Sequence, residues 1–347
     1  MSSASTLRNG GMFLLRRLGV SLVTVFILAM VVFLMIKAIP GDEARVAAGE
    51  SATAAQIAQV KHQLGLDQSL PGQMWAFFDR LLHGDLGTST ATHTSVTSGI
   101  AKALPETLEL VVLASVFMIL VAFPAATYAA LHREKRKDVG TRLSVLVLAA
   151  VPTFWLALEA QSLLSTKWQI FPISGSLSQS FSVPRITGSV MLDSLLNGNV
   201  PAFWNAFQHY ILPAFILMIP FCSALFRALR AEMISVLGRD HITVARAKGL
   251  GTARLVMRHA LPNALGPALT IIGIEFGSMV GAAVLVEAVF GLNGMGAFLT
   301  TAVGLKDTFS VLAGVLVVGT IVVTTSFVVD VFQMVRDPRI RAGQAGV

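Results

Sequence analysis

Six long apolar stretches dominate this chain, and they constrain its fold more than any other feature. A helix needs about 20 mostly apolar residues to cross the hydrocarbon core of a bilayer. Because lipid offers the backbone no hydrogen-bond partner, continuous runs of this length are expected to be helical. A transmembrane β-barrel would instead show alternating segments of about ten residues. The predicted spans are Leu18–Ile36, Leu108–Ala130, Leu143–Leu164, Ile211–Leu229, Ala268–Phe290 and Phe309–Val329.

The overall composition agrees with an integral membrane protein. The 347 residues are 54% hydrophobic and 13% charged, whereas soluble chains carry about 25% charged residues. A soluble enzyme, a disordered chain and a secreted disulfide scaffold are therefore not expected, and the single cysteine, Cys222, cannot form an internal disulfide. The first span is predicted to be a retained helix, since its apolar core is longer than that of a signal peptide and five more spans follow.

The basic residues predict the orientation of the spans. Eighteen of the 26 lie in the N-terminus, in the loop after span two, in the stretch from the end of span four to span five, and in the C-terminal tail. Because basic residues accumulate on the cytoplasmic side, both termini are predicted to be inside. The net charge of +7 is thus a topology signal, and no nucleic-acid partner is expected.

These spans divide the chain into three predicted parts: a cytoplasmic N-terminus (1–17), a six-helix transmembrane domain (18–330) and a cytoplasmic tail (331–347). The domain includes external segments at 40–106 and 165–208 and a cytoplasmic segment at 230–265. Apolar spacing in the first external segment predicts amphipathic helices around 57–64 and 71–82. Two roles remain open for this segment: a loop that stabilises the bundle, or a docking surface or lid.

The cytoplasmic segment is the most informative stretch. Asp240 is a plausible N-cap, Arg246 and Lys248 suit a helix C-terminus, and Gly249 can adopt the left-handed conformation that stops a helix. Thr252 can then cap a second short helix, which Pro262 would close. The predicted shape is two short helices joined at a glycine hinge. Such a shape can insert into a groove of a partner protein. A basic amphipathic helix resting on anionic lipid is the alternative.

This segment resembles the cytoplasmic signature loop of permease subunits in binding-protein-dependent ABC importers. The family pattern is Glu-Ala-Ala, three residues, Gly, nine residues, Ile-x-Leu-Pro. Here Thr243-Val244-Ala245 occupies the first three places and Gly249 the glycine, with His259, Leu261 and Pro262 at the end. The stretch from Ala245 to Leu250, followed by 258–261, is similar to the dipeptide/oligopeptide/nickel branch.

Further motifs, in the right order relative to the spans, resemble the first of the two paired permeases in peptide importers. They are Pro40-Gly41-Asp42, Leu64-Gly65-Leu66-Asp67, Gly84-Asp85-Leu86-Gly87-Thr88-Ser89, Phe171-Pro172-Ile173-Ser174-Gly175, Glu287-Ala288-Val289-Phe290, Gly294-Met295-Gly296, Asp307 and Asp337-Pro338-Arg339-Ile340-Arg341.

The resemblance implies a multi-pass subunit of the bacterial inner (plasma) membrane, with the type I ABC importer permease architecture and a cytoplasmic coupling helix. Such a subunit pairs with a homologous permease and two ATP-binding subunits, and an external binding protein delivers its substrate. It is not an enzyme and binds no cofactor. ATP and Mg are expected on the ATPase subunits, in agreement with the absence of a Gly-x-x-x-x-Gly-Lys-Ser/Thr phosphate loop.

The resemblance also implies which residues contact the ATPase. They are Thr243, Val244, Ala245, Arg246, Ala247, Lys248, Gly249 and Leu250. The expected cargo is a short peptide, with dipeptide, oligopeptide, glutathione and nickel chelate not distinguished.

Polar residues inside the spans are the candidates for a substrate pathway. Ionisable groups in lipid are costly and usually face a cavity or a partner. Glu159, Gln161, Glu275 and Ser278 are therefore either pathway lining or contacts between helices and subunits. Pro124, Pro152 and Pro220 are predicted to kink their spans.

Two other classes of protein were weighed against the importer. A membrane enzyme is disfavoured, because the chain contains neither His-Glu-x-x-His nor Gly-x-Ser-x-Gly. An ion-gradient-driven secondary transporter or channel subunit remains the alternative, although its usual sign, interrupted spans in two repeated halves, is not evident.

Overall fold

The computed structural model describes residues 3–38, 43–49, 52–63, 66–89, 91–92 and 94–336. Over these ranges the chain is helical, and its only β-type pairing is an isolated bridge between Thr88 and Ser95. The predicted all-α fold is confirmed. The motifs at 40–42, 64–65 and 337–341 lie outside the described residues.

The longest non-helical segment of the described chain is 168–189, and helices make up most of the rest. In order they are α1 (Ser3–Ala38), α2 (Glu43–Ala48), α3 (Ala54–Gln63), α4 (Leu70–Leu82), α5 (Val96–Leu131), α6 (Arg136–Ala150), α7 (Thr153–Ala160), α8 (Val190–Leu196), α9 (Val200–Leu237), α10 (Asp240–Ala247), α11 (Thr252–Leu255), α12 (Leu261–Phe290), α13 (Met295–Gly304) and α14 (Thr308–Arg336). Two π-helical segments, Gln161–Lys167 and Val256–Ala260, continue α7 and join α11 to α12.

Five helical runs within the described ranges are long and apolar enough to cross a membrane. Each contains one of the predicted spans or nearly all of it. The runs are Leu14–Ala38, Val96–Leu131, Val200–Leu237, Thr252–Phe290 and Thr308–Met334.

The remaining predicted span, Leu143–Leu164, is not a straight helix. Its residues are divided between α6 and the run Thr153–Lys167, which meet at an angle of 93°, and the number of spans reaches six if this bent pair is one span. The bend lies at Val151-Pro152. Proline has no N–H and disfavours helical geometry in the residue before it, and Val151 is accordingly extended (ψ 134°). By contrast, Pro124 and Pro220 lie inside α5 and α9, which continue without a break.

Two of the spanning helices are longer than their apolar cores. α5 begins at Val96 and has 36 residues, and α9 begins at Val200 and has 38. At 1.5 Å per residue, 36 residues extend about 54 Å, well beyond the roughly 30 Å of hydrocarbon. The ends of both predicted external segments, 40–106 and 165–208, are therefore helical.

The centre of the bundle is formed by α5, α9 and α12. Large side chains such as Met118, Leu217 and Met279 are fully buried there. Small residues allow close approach between helices: Gly277 of α12 lies against the backbone of Val322, where an added Cβ would already be at 3.6 Å. Such small-residue contacts are typical of helix packing in membranes.

The first helix packs at the periphery. Ala29 and Val32 of α1 are buried against Leu312 and Leu316 of α14, and Arg17 forms an ion pair with Asp330. Both predicted amphipathic helices of the first external segment are confirmed as α3 and α4.

α4 packs against the bundle through aromatic side chains. The ring of Phe78 stacks on Phe26 at 4.9 Å, and the ring of Phe77 lies 5.5 Å from Phe33. Trp75 points away from these contacts and is exposed. One face of α4 is thus held by α1.

A short apolar helix that sequence reasoning missed, α13, follows α12. Its first N–H groups are capped by two other elements: Met295 N–H donates to Thr107 Oγ1 at 2.7 Å and Gly296 N–H donates to Glu287 Oε2 at 2.6 Å. An added Cβ on Gly294 would lie 2.4 Å from the Glu287 carboxylate. The Gly294-Met295-Gly296 motif therefore allows the buried Glu287 to cap α13.

Substitution of Gly296 by alanine (G296A) is expected to lower the stability of the protein by about 1–3 kcal/mol, the usual cost of overpacking. The added Cβ would lie 2.4 Å from the carbonyl oxygen of Val284, a backbone atom that cannot move freely. Thermal unfolding of the purified protein measures the effect. The control is Gly304→Ala at the other end of α13, where an added Cβ meets nothing within 4 Å. Equal melting temperatures for the two variants would contradict this account of the motif.

Candidate functional site

The segment predicted to be cytoplasmic folds as a helical elbow, which we define as residues 239–260. α10 begins at Asp240, directly after the extended Arg239. Ile242 and Ala245 face inward and are buried, at 0% and 8% exposure, in the same cluster as Val236 of α9 and Leu255 of α11. The first helix of the elbow is therefore fixed to the end of α9 by its apolar face.

A glycine in the left-handed conformation ends α10, as predicted. Gly249 has φ +79°, and its N–H donates to the carbonyl of Arg246 at 3.0 Å, while Leu250 N–H donates to Ala245 at 3.3 Å. An added Cβ would meet nothing within 4 Å. The requirement for glycine at this position is therefore conformational and not a matter of space.

The predicted caps and the predicted end of the second helix were wrong in detail. The N-cap positions belong to Arg239 and Gly251, while Asp240 and Thr252 are the first helical residues, and neither cap position has a side-chain hydrogen bond. Pro262 does not close the second helix, because it lies in the first turn of α12, where no backbone N–H is needed. The elbow thus continues directly into a transmembrane helix.

The outward face of the elbow is accessible. Among the eight residues expected to contact a partner, Ala245 is buried against its own chain and Leu250 is half-buried, whereas Val244 is 52% exposed. The other exposed members are Thr243, Arg246, Ala247, Lys248 and Gly249. The elbow therefore presents these residues as an exposed surface whose two charged members, Arg246 and Lys248, are both basic.

A buried ion pair joins α9, just before the elbow, to the first turn of α6. Arg230 of α9 donates from Nε to Asp138 Oδ1 at 2.8 Å and from Nη2 to Oδ2 at 2.6 Å. Asp138, at 1% exposure, also accepts the N–H of Glu134 at 3.1 Å. Such bidentate, charge-assisted pairs are strong and directional. The pair therefore connects α6, the first half of the bent span, to the helix that carries the elbow.

Sequence reasoning used Arg230 only as a topology signal and did not single out Asp138. The available signal was an acidic residue between Lys137 and Arg142 in a loop otherwise rich in basic residues. Nothing in the sequence pairs it with a residue 92 positions away.

The four candidate pathway residues occupy different environments. Gln161 Nε2 donates to the carbonyls of Ile173 and Val289, both at 2.9 Å, so both of its N–H groups hold backbone segments together. Ser278 Oγ donates to the carbonyl of Ile274 on its own helix at 3.2 Å. Glu159 is exposed on α7.

Glu275 is the fourth candidate. It is half-buried on α12 and interacts electrostatically with Arg227 of α9. A charged side chain within a span usually faces a cavity or a partner. Glu275 therefore keeps partial exposure on a helix that continues from the elbow.

Three further buried carboxylates were not identified as a group from the sequence. Glu106 accepts from Arg185 Nη2 at 2.9 Å and from Ser176 Oγ at 2.6 Å, and Glu109 accepts the N–H groups of Val190 and Met191 at the start of α8. The third, Glu287, caps α13 as described above. Each has a structural partner, so these carboxylates hold the loops and short helices onto α5 and α12.

The loop that presents Arg185 is itself held by a buried carboxylate. Asp193 accepts the N–H groups of Ile186, Thr187 and Gly188 at 2.7–3.1 Å, and the hydroxyl of Thr187 at 2.7 Å. Burial opposes the charged form, but these hydrogen bonds outweigh it and hold the pKa of Asp193 below its ordinary value. Asp193 is thus a charged anchor for the loop.

Two family models together match most of the chain. The binding-protein-dependent transport system inner membrane component matches residues 122–342. The N-terminal part of such a membrane component matches residues 11–111. The described residues contain no group of three or more His, Cys, Asp or Glu side chains that could hold a metal ion.

The chain is also similar to curated permeases over nearly its whole length. It is 37% identical to a probable D,D-dipeptide transport system permease protein of Escherichia coli, covering 90% of this chain and 92% of the relative. A di/tripeptide transport system permease protein of Pseudomonas aeruginosa is 36% identical, and a dipeptide transport system permease protein of Escherichia coli is 34% identical. Each of these two matches covers 95% of this chain and 98% of the relative.

Among solved structures, an amino acid ABC transporter with histidines covers 68% of this chain and 94% of its own. The TM-score is 0.45 and the identity 16%, a similarity too low to support an inference about the fold.

A helical bundle with several runs long and apolar enough to cross a membrane, joined by an exposed helical elbow, has the architecture of a polytopic membrane protein. The chain belongs to the family of binding-protein-dependent transport system inner membrane components. It is therefore a permease subunit of the inner membrane and not an enzyme. It works with a substrate-binding protein and with ATPase subunits, and the resemblance drawn from its motifs is confirmed.

Proposed function

We propose that this chain is one of two homologous permease subunits of an ATP-driven importer of short peptides, and that it forms half of the translocation pathway. The cargo is supported by the relatives named for di- and tripeptide transport, which match at 34–37% identity. ATP and Mg bind to two partner ATPase subunits, and an external binding protein delivers the peptide.

The elbow is the contact to one ATPase subunit in this proposal. Its exposed residues fill a groove of the ATPase, while buried Ile242 and Ala245 keep the elbow fixed to α9. ATP-driven closure of the ATPase pair moves the elbow. The motion passes into α12 through the continuous run Thr252–Phe290, and into α6 through Arg230 and Asp138. This tilts the spans from inward-open to outward-open, which requires contacts that differ between the two states.

Glu275 and Glu159 are proposed to line the peptide pathway, with Glu275 attracting positive charge. Gln161 and Ser278 support the lining, because their hydrogen bonds already hold backbone carbonyls.

Substitution of Glu275 by glutamine is expected to lower uptake of a cationic dipeptide about fivefold more than uptake of a neutral dipeptide. This factor corresponds to the upper value for the interaction energy of one partly exposed charge pair. Uptake in proteoliposomes measures the ratio. An equal reduction for both peptides would assign Glu275 to helix contacts instead.

The single observation that carries the proposed function is the exposed elbow mounted rigidly on two membrane-spanning helices. The test is co-reconstitution of this chain with its second permease, its ATPases and its binding protein in proteoliposomes. The proposal predicts ATP-dependent, vanadate-sensitive uptake of dialanine that requires every component. Uptake by this chain alone, driven by an ion gradient, would contradict it and favour a secondary transporter.

A further inference from the structure

A recessed groove lies between the first turns of α5 and the length of α13. The groove is more open than enclosed, and its volume of about 490 Å³ lies within the roughly 300–1,000 Å³ of small-molecule pockets. Ser89, Thr92, Thr94 and Ser95 border one side, and the groove is on the side that the basic-residue distribution predicts to be external. No element of the elbow or of the predicted pathway contributes to it.

The groove combines an apolar floor with polar edges. Gly99 leaves room for the ring of Phe298, which an added Cβ would approach to 2.8 Å, and Ala103 and Ala297 extend the floor. The edges carry hydroxyl and amide groups from Thr92, Thr94, Ser95, Asn293 and Thr301. An apolar surface with a few convergent polar groups is typical of a ligand site.

Two cationic side chains, Lys102 and Arg185, line the groove, and the carboxylate of Asp307 lines it as well. Lys102 and Glu106 are four residues apart on α5 and therefore share a helix face. Arg185 reaches the same place, since its Nη2 donates to Glu106 Oε1 at 2.9 Å. Lys102 has no ion-pair partner among the residues that the structure describes. Only one nitrogen of Arg185 is used in the pair, and the side chain remains 52% exposed.

Neighbouring groups hold Arg185 in position before any ligand binds. Its partner Glu106 is 1% exposed and is held by the hydroxyl of Ser176 at 2.6 Å. The residues that follow Arg185 are held by the carboxylate of Asp193. A cation whose support is buried and hydrogen-bonded loses little conformational freedom when it binds an anion, which favours affinity.

We propose that this groove binds a short peptide and holds its free α-carboxylate between Lys102 and Arg185. This inference rests on the proposed function and names a peptide site on its external side. The hydroxyl edges bond the peptide backbone, and the small apolar floor accommodates its side chains. A recessed cavity of this size suits a di- or tripeptide better than the flat surface of a folded protein.

The test uses the assembled complex in lipid nanodiscs without its binding protein. The probe is a dipeptide of alanine and a diazirine amino acid with a free carboxylate. The inference predicts photolabelling of this chain within 89–103 or 293–305, blocked by excess dialanine and not by dialanine amide. Lys102→Glu is expected to reduce labelling about fivefold, the upper value for an exposed ion pair. Lys167→Glu, an exposed lysine outside the groove, is the matched control and keeps full labelling.

The possible outcomes distinguish a failure of the peptide site from a failure of the proposed function. The carboxylate site is overturned if Lys102→Glu is labelled as strongly as the wild type. It is also overturned if dialanine amide blocks labelling as well as dialanine does. An unlabelled groove in a complex that still imports dialanine with ATP overturns the peptide site and leaves the proposed function standing. Loss of binding-protein attachment in Lys102→Glu, with peptide labelling unchanged, would show that the two cations meet an acidic surface of that protein and overturn the inference. A complex that neither imports nor is labelled by peptides overturns both proposals.

Discussion

Substitution of Gly249 by proline (G249P) is expected to reduce ATP-dependent peptide uptake at least about tenfold, because the elbow loses its geometry at a cost of about 3 kcal/mol or more. Proline fixes φ near −65°, whereas Gly249 has φ +79°. The substitution also removes the N–H that donates to Arg246 and disfavours the conformation of Lys248 (φ −76°, ψ 6°), the residue before the new proline. The buried packing of Ile242 lies outside the substituted turn, so the complex is expected to assemble.

Two other variants separate the geometry of the elbow from a general effect of substitution. Gly249→Asn is expected to retain most uptake, since asparagine tolerates the left-handed region better than other side chains. Gly251→Ala is the matched control: Gly251 has φ −65°, and an added Cβ meets nothing within 4 Å. Uptake and ATP hydrolysis by the reconstituted complex are measured for all three. Normal coupled uptake by a fully assembled Gly249→Pro complex would refute the role of the elbow.

Breaking the Asp138–Arg230 pair is expected to have the largest effect on stability. Removal of one partner from a buried ion pair typically costs about 3–5 kcal/mol, because the other charge stays buried without compensation. Asp138→Asn and Arg230→Gln should therefore each lower the melting temperature strongly, and the double variant should lose less than the sum of the two. The exposed pair of Glu232 and Arg239, at 3.4 Å, is the control, with an expected cost below about 1 kcal/mol.

The same variants test whether the pair transmits motion as well as stabilising the fold. At a temperature where Asp138→Asn is fully assembled, the account predicts more ATP hydrolysed per peptide imported than in the wild type. A purely structural pair would leave this ratio unchanged. Additive melting-temperature losses in the double variant would contradict a direct interaction between the two side chains.

Features encoded locally were predictable from the sequence. The apolar runs located the spanning helices, and Gly249 located the left-handed stop, because both depend on a few neighbouring residues. The bend at Pro152 was expected as a kink, but its angle of 93° depends on the packing of α7 against α9 and α12, which no local pattern reports.

Features that depend on distant residues were not predictable. Asp138 and Arg230 are 92 positions apart. Glu287 caps α13, a helix of ten residues that the hydropathy pattern did not indicate. Ala245 belongs to the family pattern, and the sequence favoured it as a contact for a partner. The structure places its side chain against the chain's own core, because helical periodicity puts Ile242 and Ala245 on one face.

The most direct test of the central claim is cysteine cross-linking between the elbow and an ATPase subunit. The single native cysteine, Cys222, is buried, so each new thiol can be examined alone in the assembled complex. Val244→Cys, on the exposed face, is predicted to cross-link to the ATPase with a short bifunctional maleimide. Ala245→Cys, one residue later and buried, is predicted not to cross-link. Equal yields at both positions, or no cross-link from Val244→Cys in a complex that imports peptide, would contradict an elbow held by the ATPase.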